Sequence, residues 1–134
     1  MPRSSSRSPR SRCPISIALE QFGDPWSLLI VRDVMFKGRR TFNEFQQAGE
    51  GIASNILSDR LARLEEAGIL HKQRDAADGR RFVYRLTDKG LDLAPVLVEL
   101  VLWSSTYEDT DAPRATVREM REQRSRFLRR VRSQ

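Results

Sequence analysis

The sequence predicts a mainly α-helical fold with one small β-hairpin, and two stretches in the middle of the chain carry this prediction. Residues 51–70 form a two-faced helix, because Leu57, Leu61 and Leu64 recur at the i, i+4 and i+7 spacing of one apolar stripe. Residues 70–86 then follow the pattern of strand, turn and strand, with basic residues in the second half of the turn. A two-faced helix followed by a basic hairpin predicts a winged helix-turn-helix.

Three shorter helices are expected before the two-faced helix. Pro14 opens the first helix, which ends at Gly23, and Asp24-Pro25 begins the second as its cap and first-turn proline. Thr41, with Glu44 three residues later, forms the capping box of a brief third helix. A short turn then leads into the two-faced helix, so the centre of the chain is helix, turn, helix and hairpin.

Two helical segments are expected after the hairpin. The first covers residues 88–107 and is strongly apolar, with Trp103 and Tyr107 near its end. Residues 109–113 interrupt the helical pattern. Residues 114–132 form the last candidate helix, in which arginines surround a partial apolar stripe.

Length and composition favour one main domain, which we place at residues 13–111. Residues 1–12 are rich in arginine and serine and are expected to be a disordered arm, whereas residues 112–134 are expected to be a basic helical extension. No apolar run reaches the roughly 18 residues of a membrane span, so no membrane partner is expected. One cysteine cannot form an internal disulfide, which favours the cytoplasm.

Positive charge is concentrated in the two tails. Residues 1–12 carry four arginines and no acid, and residues 114–134 carry eight arginines against two glutamates. Residues 13–113 carry twelve basic against sixteen acidic side chains, a net charge of −4. The tails are therefore expected to supply sequence-independent attraction to phosphate while the domain reads sequence, the alternative being that they are only solvated extensions.

Small polar residues at the start of the two-faced helix are the predicted base contacts: Ser54, Asn55, Ser58 and Asp59. Asn bridges adenine N6 and N7, Ser binds bases or phosphate, and Asp accepts from cytosine N4. Free N–H groups of the first helical turn also hold phosphate. The alternative is that Ser54 and Asn55 only cap the helix, and Asp59 would repel the DNA backbone.

Five arginines are further candidate DNA contacts by their position: Arg39, Arg40, Arg60, Arg80 and Arg81. The pair after the hairpin turn is expected to contact phosphate or the minor groove, or else to form local ion pairs with Asp75 or Asp78. The pair before the third helix is expected to hold the DNA backbone. Arg60 lies beside the apolar stripe, where pairing with an acid inside the domain is the alternative.

The order of these motifs resembles the HxlR-type transcriptional regulators, winged helix proteins related to the MarR family. Each matching piece is common alone, and their order and spacing over residues 13–107 make the resemblance specific. The pieces are Cys13-Pro14 and residues 23–33, 38–45, 52–61, 64–65, 68–69 and 84–90. The arginine-serine arm and the residues after Pro113 lie outside the resemblance.

The resemblance implies a homodimeric DNA-binding regulator that responds to a small-molecule effector or to a redox signal. It also implies a dimer through the first helix and the helix after the wing, here residues 14–22 and 88–107. Cys13 occupies the region where redox-sensing members carry their sensing thiol, and Arg12 and a helix N-terminus are surroundings that activate thiols. The alternative for Cys13 is a small buried apolar residue.

The predicted function is therefore a regulator, with repression as the expected mode, that binds double-stranded DNA at a pseudo-palindromic operator. A different class is a winged helix used only to dock proteins, which the acidic balance of residues 13–113 favours. A third idea, that the arginine-rich tails bind RNA or a membrane surface, rests on composition. No enzyme, cofactor or metal is expected, because catalytic motifs are missing and His71 has no neighbouring ligands in sequence.

Overall fold

The structure is a computed structural model that describes residues 8–134, so the first seven residues of the predicted arm lie outside it. Within residues 8–134, four helices precede the hairpin and four follow it. No helix in residues 8–134 is long and apolar enough to cross a membrane. The elements are α1 Pro14–Phe22, α2 Ser27–Phe36, α3 Phe42–Gln46, α4 Ser54–Glu66, β1 Leu70–Arg74, β2 Phe82–Leu86, α5 Asp88–Leu91, α6 Ala94–Tyr107, α7 Arg114–Glu122 and α8 Arg124–Arg132.

The chain divides into two compact units, one reaching Gly90 and the other formed by Leu91–Gln134. The first unit contains the helix-turn-helix and the hairpin. Its core includes the apolar stripe of α4, since Leu57, Leu61 and Leu64 are at most 2% exposed. Burial of each such leucine contributes about 1.5–3 kcal/mol to folding, so this stripe holds α4 and leaves its opposite face to solvent.

The starts of α2 and α3 depend on side-chain caps. Asp24 was expected to begin α2 directly, but the helix begins at Ser27. The Asp24 carboxylate accepts the backbone N–H groups of Trp26 and Ser27, both at 3.0 Å, so it satisfies the helix start from a preceding turn. The capping box of α3 is confirmed: Thr41 Oγ1 accepts from Glu44 N at 3.2 Å, and Glu44 Oε1 accepts from Thr41 N at 3.1 Å.

The two strands form the predicted hairpin, and its antiparallel register places Leu70 opposite Leu86 and Arg74 opposite Phe82. The hairpin is attached to the helices through Tyr84. Its backbone N–H donates to the Arg40 carbonyl at 2.8 Å, and its ring meets Phe45 edge-on with centroids 5.9 Å apart. These contacts fix the middle of β2 to α3 and to the segment just before it.

Gly90 in α5 lies against the backbone of Ile69. A Cβ atom added at Gly90 would be 2.3 Å from the Ile69 carbonyl oxygen and 2.9 Å from Leu86 Cδ2. The same carbonyl accepts the backbone N–H of Thr87 at 3.1 Å. Only a residue without a side chain lets α5 begin this close to the end of the α4–β1 connection.

The single helix predicted over residues 88–107 is wrong, because the structure has α5 and α6 with a break at residues 92–93. Pro95 accounts for the break, since its ring clashes with the carbonyl four residues earlier and it has no N–H to donate to that carbonyl. Proline is accepted in the first turn of α6, where it stands.

The single helix predicted over residues 114–132 is also two helices, separated at Gln123 with φ −136° and ψ 50°. Within the second unit, α7 and α8 both pack on α6 and on each other. Met120, Phe127 and Val131 are 3–5% exposed. The break lets the apolar residues of both short helices reach one shared core, a requirement that periodicity alone did not reveal.

Candidate nucleic-acid interface

The first turn of α4 is an open helix N-terminus. Its N-cap is Ala53, which has no side chain to accept the first-turn N–H groups. Ser54 and Asn55 are therefore the first two helical residues and do not cap the helix, which removes the capping alternative. Both are exposed, and within residues 8–134 neither side chain has a hydrogen-bond partner.

The outer face of α4 continues from these residues toward its C-terminus. Ser58 is exposed and, among the described residues, its hydroxyl also lacks a partner. Asp59 is paired with Arg60, and its Oδ2 lies 3.9 Å from Nη1 of Arg63. Arg63 was not among the predicted site residues, although its place four residues after Asp59 puts it on the same face.

Arg60 forms the internal pair that was the alternative to DNA contact. Its Nε donates to Asp24 Oδ2 at 2.9 Å, and its side chain is only 18% exposed. Burial raises the pKa of Asp24, but hydrogen bonds from Ser27, Trp26 and Arg60 outweigh burial and hold that pKa below its usual value. Arg60 thus ties α4 to the start of α2, and its contact with DNA stays a prediction.

The two wing arginines follow the turn of the hairpin and pair with its aspartates. Arg81 Nε donates to Asp75 Oδ2 at 2.6 Å, and this hydrogen bond lowers the pKa of Asp75. Arg80 Nε lies 3.2 Å from Asp78 Oδ1, with 92% of the Arg80 side chain exposed. The exposed Arg80 pair is worth at most about 1 kcal/mol, so its guanidinium can exchange the carboxylate for a phosphate. In the other pair Asp75 is only 15% exposed, whereas the Arg81 side chain is 59% exposed.

The Phe82 ring on the hairpin, which forms the wing, contacts two cationic side chains that were not among the predicted site residues. Lys72 Nζ lies 4.6 Å and Arg74 Cζ 4.9 Å from the centroid of Phe82. Arg74 also donates to the Gly79 carbonyl at 2.6 Å, which braces the turn. The strand register carries the signal that was missed, because Arg74 stands directly opposite Phe82.

The arginines before α3 have different surroundings. Arg39 Nη1 donates to Asp33 Oδ1 at 2.8 Å, and Asp33 is 3% exposed and also bound by Arg32. Arg40 is exposed, and its backbone N–H donates to Glu44 at 2.8 Å, which lowers the pKa of Glu44. Arg39 is thus engaged inside the fold, whereas the Arg40 side chain faces solvent.

Cys13 and His71 are the remaining residues with reactive side chains. Cys13 is exposed at the N-cap of α1, so the alternative of a buried apolar residue is wrong, and its backbone N–H donates to Ser11 Oγ at 3.2 Å. His71 is exposed on β1. In the part of the chain that the structure describes, no group of three potential metal ligands occurs.

A polar, partly unpaired helix face and a cationic hairpin are surfaces that can bind DNA bases and phosphates. Comparison with protein families gives a match of residues 21–112 to the HxlR-like helix-turn-helix model. An uncharacterised HTH-type transcriptional regulator of Mycobacterium tuberculosis is 39% identical over 90 residues, 67% of this chain and 56% of the relative. YvaP of Bacillus subtilis, also named an HTH-type transcriptional regulator, is 33% identical over 72% of this chain and 90% of its own. The match thus spans just over half of the mycobacterial relative.

Solved structures agree with the winged helix fold. PA1607, named as a transcription factor, is 40% identical with a TM-score of 0.69 over 78% of this chain and 71% of its own. The oxidised redox regulator HypR is 27% identical with a TM-score of 0.64 over 73% of this chain and the whole of its own. Reduced YodB of Bacillus subtilis, a transcriptional regulator, is 28% identical with a TM-score of 0.59 over 72% of this chain and 95% of its own.

Proposed function

The chain belongs to the HxlR-like helix-turn-helix family of transcriptional regulators, and we propose that it represses transcription by binding a specific double-stranded DNA operator as a homodimer. The observation that carries this proposal is the open start of α4. Ser54, Asn55 and Ser58 are exposed there, and the first-turn N–H groups have no side-chain cap. These groups are suited to base edges and phosphate, and no contact within residues 8–134 occupies the three side chains.

Exposed apolar side chains support the proposed homodimer. On α1, Ile15 is 71% and Leu19 is 53% exposed. On α6, Trp103 is 65% and Tyr107 is 70% exposed, with their rings 5.7 Å apart. Large apolar groups left in water favour burial against a partner. A second copy of the chain would bring a second α4, which is the proposed reading helix. Two-fold related reading helices fall about 34 Å apart, one turn of DNA.

A redox or small-molecule signal is the proposed control of DNA binding. Cys13 is exposed, and HypR is named a redox regulator. Two Cys13 thiols, one from each copy, would form a disulfide by giving two electrons and two protons to an oxidant. A disulfide between the α1 helices would change the spacing of the reading helices, and Cys13→Ser should remove any loss of DNA binding caused by the thiol oxidant diamide.

Selection of binding sites from a random pool of duplex DNA tests the proposed function. We expect a pseudo-palindrome with a fixed spacing between its half-sites, because a two-fold dimer reads the same sequence twice. A protein-docking module would instead recover no common sequence, and its duplex affinity would not fall steeply with salt. Such a result would contradict operator binding. We also propose that this regulator acts in the cytoplasm, where it would meet DNA.

A further inference from the structure

Three arginines of α7 form a stripe that the helix-turn-helix does not account for. Arg114, Arg118 and Arg121 follow the i, i+4 and i+7 spacing of one helix face, and all three are exposed. They lie beyond residue 112, where the family match ends. We call Arg114, Arg118 and Arg121 the arginine stripe.

The other arginines of α7 and α8 mostly neutralise acids of the same unit. Arg130 donates two hydrogen bonds of 2.6 Å to Glu119, and Arg124 donates to Glu99 at 3.1 Å. Arg132 pairs with Asp92, and Arg126 lies 3.7 Å from Glu119. Each of these arginines therefore has a carboxylate beside it, which a phosphate would have to displace.

The arginine stripe has no such partners. Within residues 8–134, none of its guanidinium groups has a carboxylate oxygen within 4.0 Å, and Arg121 donates only to the neutral Thr106 hydroxyl at 3.0 Å. The stripe lines one open surface cavity together with three acids, Glu108, Asp109 and Glu122. These three acids balance the formal charge of the three arginines along the cavity. None of them closes an ion pair with the stripe, so the guanidinium donors stay available.

We propose that the arginine stripe binds the phosphate backbone of duplex DNA without regard to sequence, an inference that rests on the proposed function. Residues 13–113 carry twelve basic against sixteen acidic side chains, so the body of the regulator repels DNA at long range. The stripe is about 10 Å long at a rise of 1.5 Å per residue. One DNA strand carries about three phosphates over that length.

Burial of the apolar residues favours DNA over a membrane surface. Met120, Phe127 and Val131 are buried, and no large apolar side chain of α7 or α8 is among the exposed ones. A helix that binds a membrane surface needs an apolar face free to enter the lipid. Within residues 8–134, the arginines of α7 therefore have no exposed apolar face beside them, which favours binding to DNA over binding to a membrane.

The test measures duplex affinity of the full chain across a range of salt concentrations, on a selected operator and on a random duplex. The variant with Arg114→Gln, Arg118→Gln and Arg121→Gln should have a shallower slope of log affinity against log salt. The magnitude of the slope should fall by about 2 to 3, because each phosphate contact contributes about 0.9. Affinity should fall by the same factor on both duplexes. The preference for the operator should therefore be unchanged.

The matched control removes the same charge from paired arginines, through Arg124→Gln, Arg126→Gln and Arg130→Gln. Its slope should change by less than half as much as that of the stripe variant, and thermal unfolding checks that both variants fold. If the stripe variant and the control variant had equal salt slopes, the total charge and not the stripe would determine binding, and the proposal would be overturned. An unaltered slope in the stripe variant, or a loss confined to single-stranded RNA, would also overturn it. Absence of any operator preference in the unaltered chain would instead reject the proposed function.

Discussion

The Asp24 carboxylate joins the start of α2 to the middle of the reading helix through Arg60. Asp24 Oδ2 accepts from Arg60 Nε at 2.9 Å, across 36 residues of sequence. The same carboxylate accepts the backbone N–H groups of Trp26 and Ser27 and, through Oδ1, the Ser27 hydroxyl at 2.6 Å. One side chain therefore caps a helix and sets the position of the helix that is proposed to read DNA.

A double-mutant cycle measures the interaction energy between Asp24 and Arg60. We expect Asp24→Ala to lower the free energy of unfolding by about 2 kcal/mol, because it removes a helix cap and leaves Arg60 with only the exposed Asp59 as a partner. Arg60→Ala should cost about 1 kcal/mol, and the double variant should lose less than the two single losses together. Urea unfolding gives all three values. Strict additivity would show that the pair itself adds nothing, and Arg80→Ala, at an exposed pair, should stay within about 0.5 kcal/mol.

The stability supplied by the Asp24 charge should depend on pH in one direction. Burial raises the pKa of Asp24, but the hydrogen bonds outweigh it and leave the folded-state pKa below the ordinary value. The contribution is therefore fully present above about pH 5 and is lost as the pH falls through the folded-state pKa. The unfolding free energies of the unaltered chain and of Asp24→Asn, measured in urea, should differ at neutral pH. They should approach each other only as the pH falls below the ordinary aspartate pKa of about 4 toward the lower folded-state pKa. A difference that stays constant down to pH 3 would contradict this assignment.

Substitutions at the proposed base contacts and at the wing arginines should have different effects on operator DNA and random DNA. Ser54→Ala with Asn55→Ala should weaken binding to the selected operator about tenfold to a hundredfold and change random DNA much less. Arg80→Ala with Arg81→Ala should weaken both duplexes by the same factor, because phosphate contacts do not depend on sequence. Fluorescence anisotropy on the two duplexes gives the ratio. Unchanged operator affinity in both variants would mean that the DNA-binding face has been assigned wrongly.

Gly90 should not tolerate even one methyl group. A Cβ there would lie 2.3 Å from the Ile69 carbonyl oxygen, so Gly90→Ala forces α5 and the Ile69 backbone apart. We expect a loss of about 1–3 kcal/mol in the free energy of unfolding. Gly79→Ala is the control, because a Cβ at Gly79 meets no atom within 4 Å, and it should change stability by less than about 0.5 kcal/mol. Equal stabilities of the two variants would contradict the close approach.

Much of the helix-turn-helix follows from residues close in sequence. The stripe of Leu57, Leu61 and Leu64 predicts both α4 and its buried side, and the structure confirms it. The capping box of Thr41 and Glu44 is likewise a contact over three residues. The breaks in the two later helices were missed, because the apolar pattern runs on across both of them.

The sequence by itself determined the helical stretches apart from their two internal breaks, where the hairpin turns and which face of α4 is polar, since periodicity, caps and turns act over a few residues. Only the tertiary structure decided which arginines are engaged. Arg60 meets Asp24, and Arg39 meets a buried Asp33, whereas Arg114 and Arg118 have no carboxylate partner among the described residues. Charge pairing depends on distances between side chains that folding brings together from far apart in the chain, and composition contains no record of those distances.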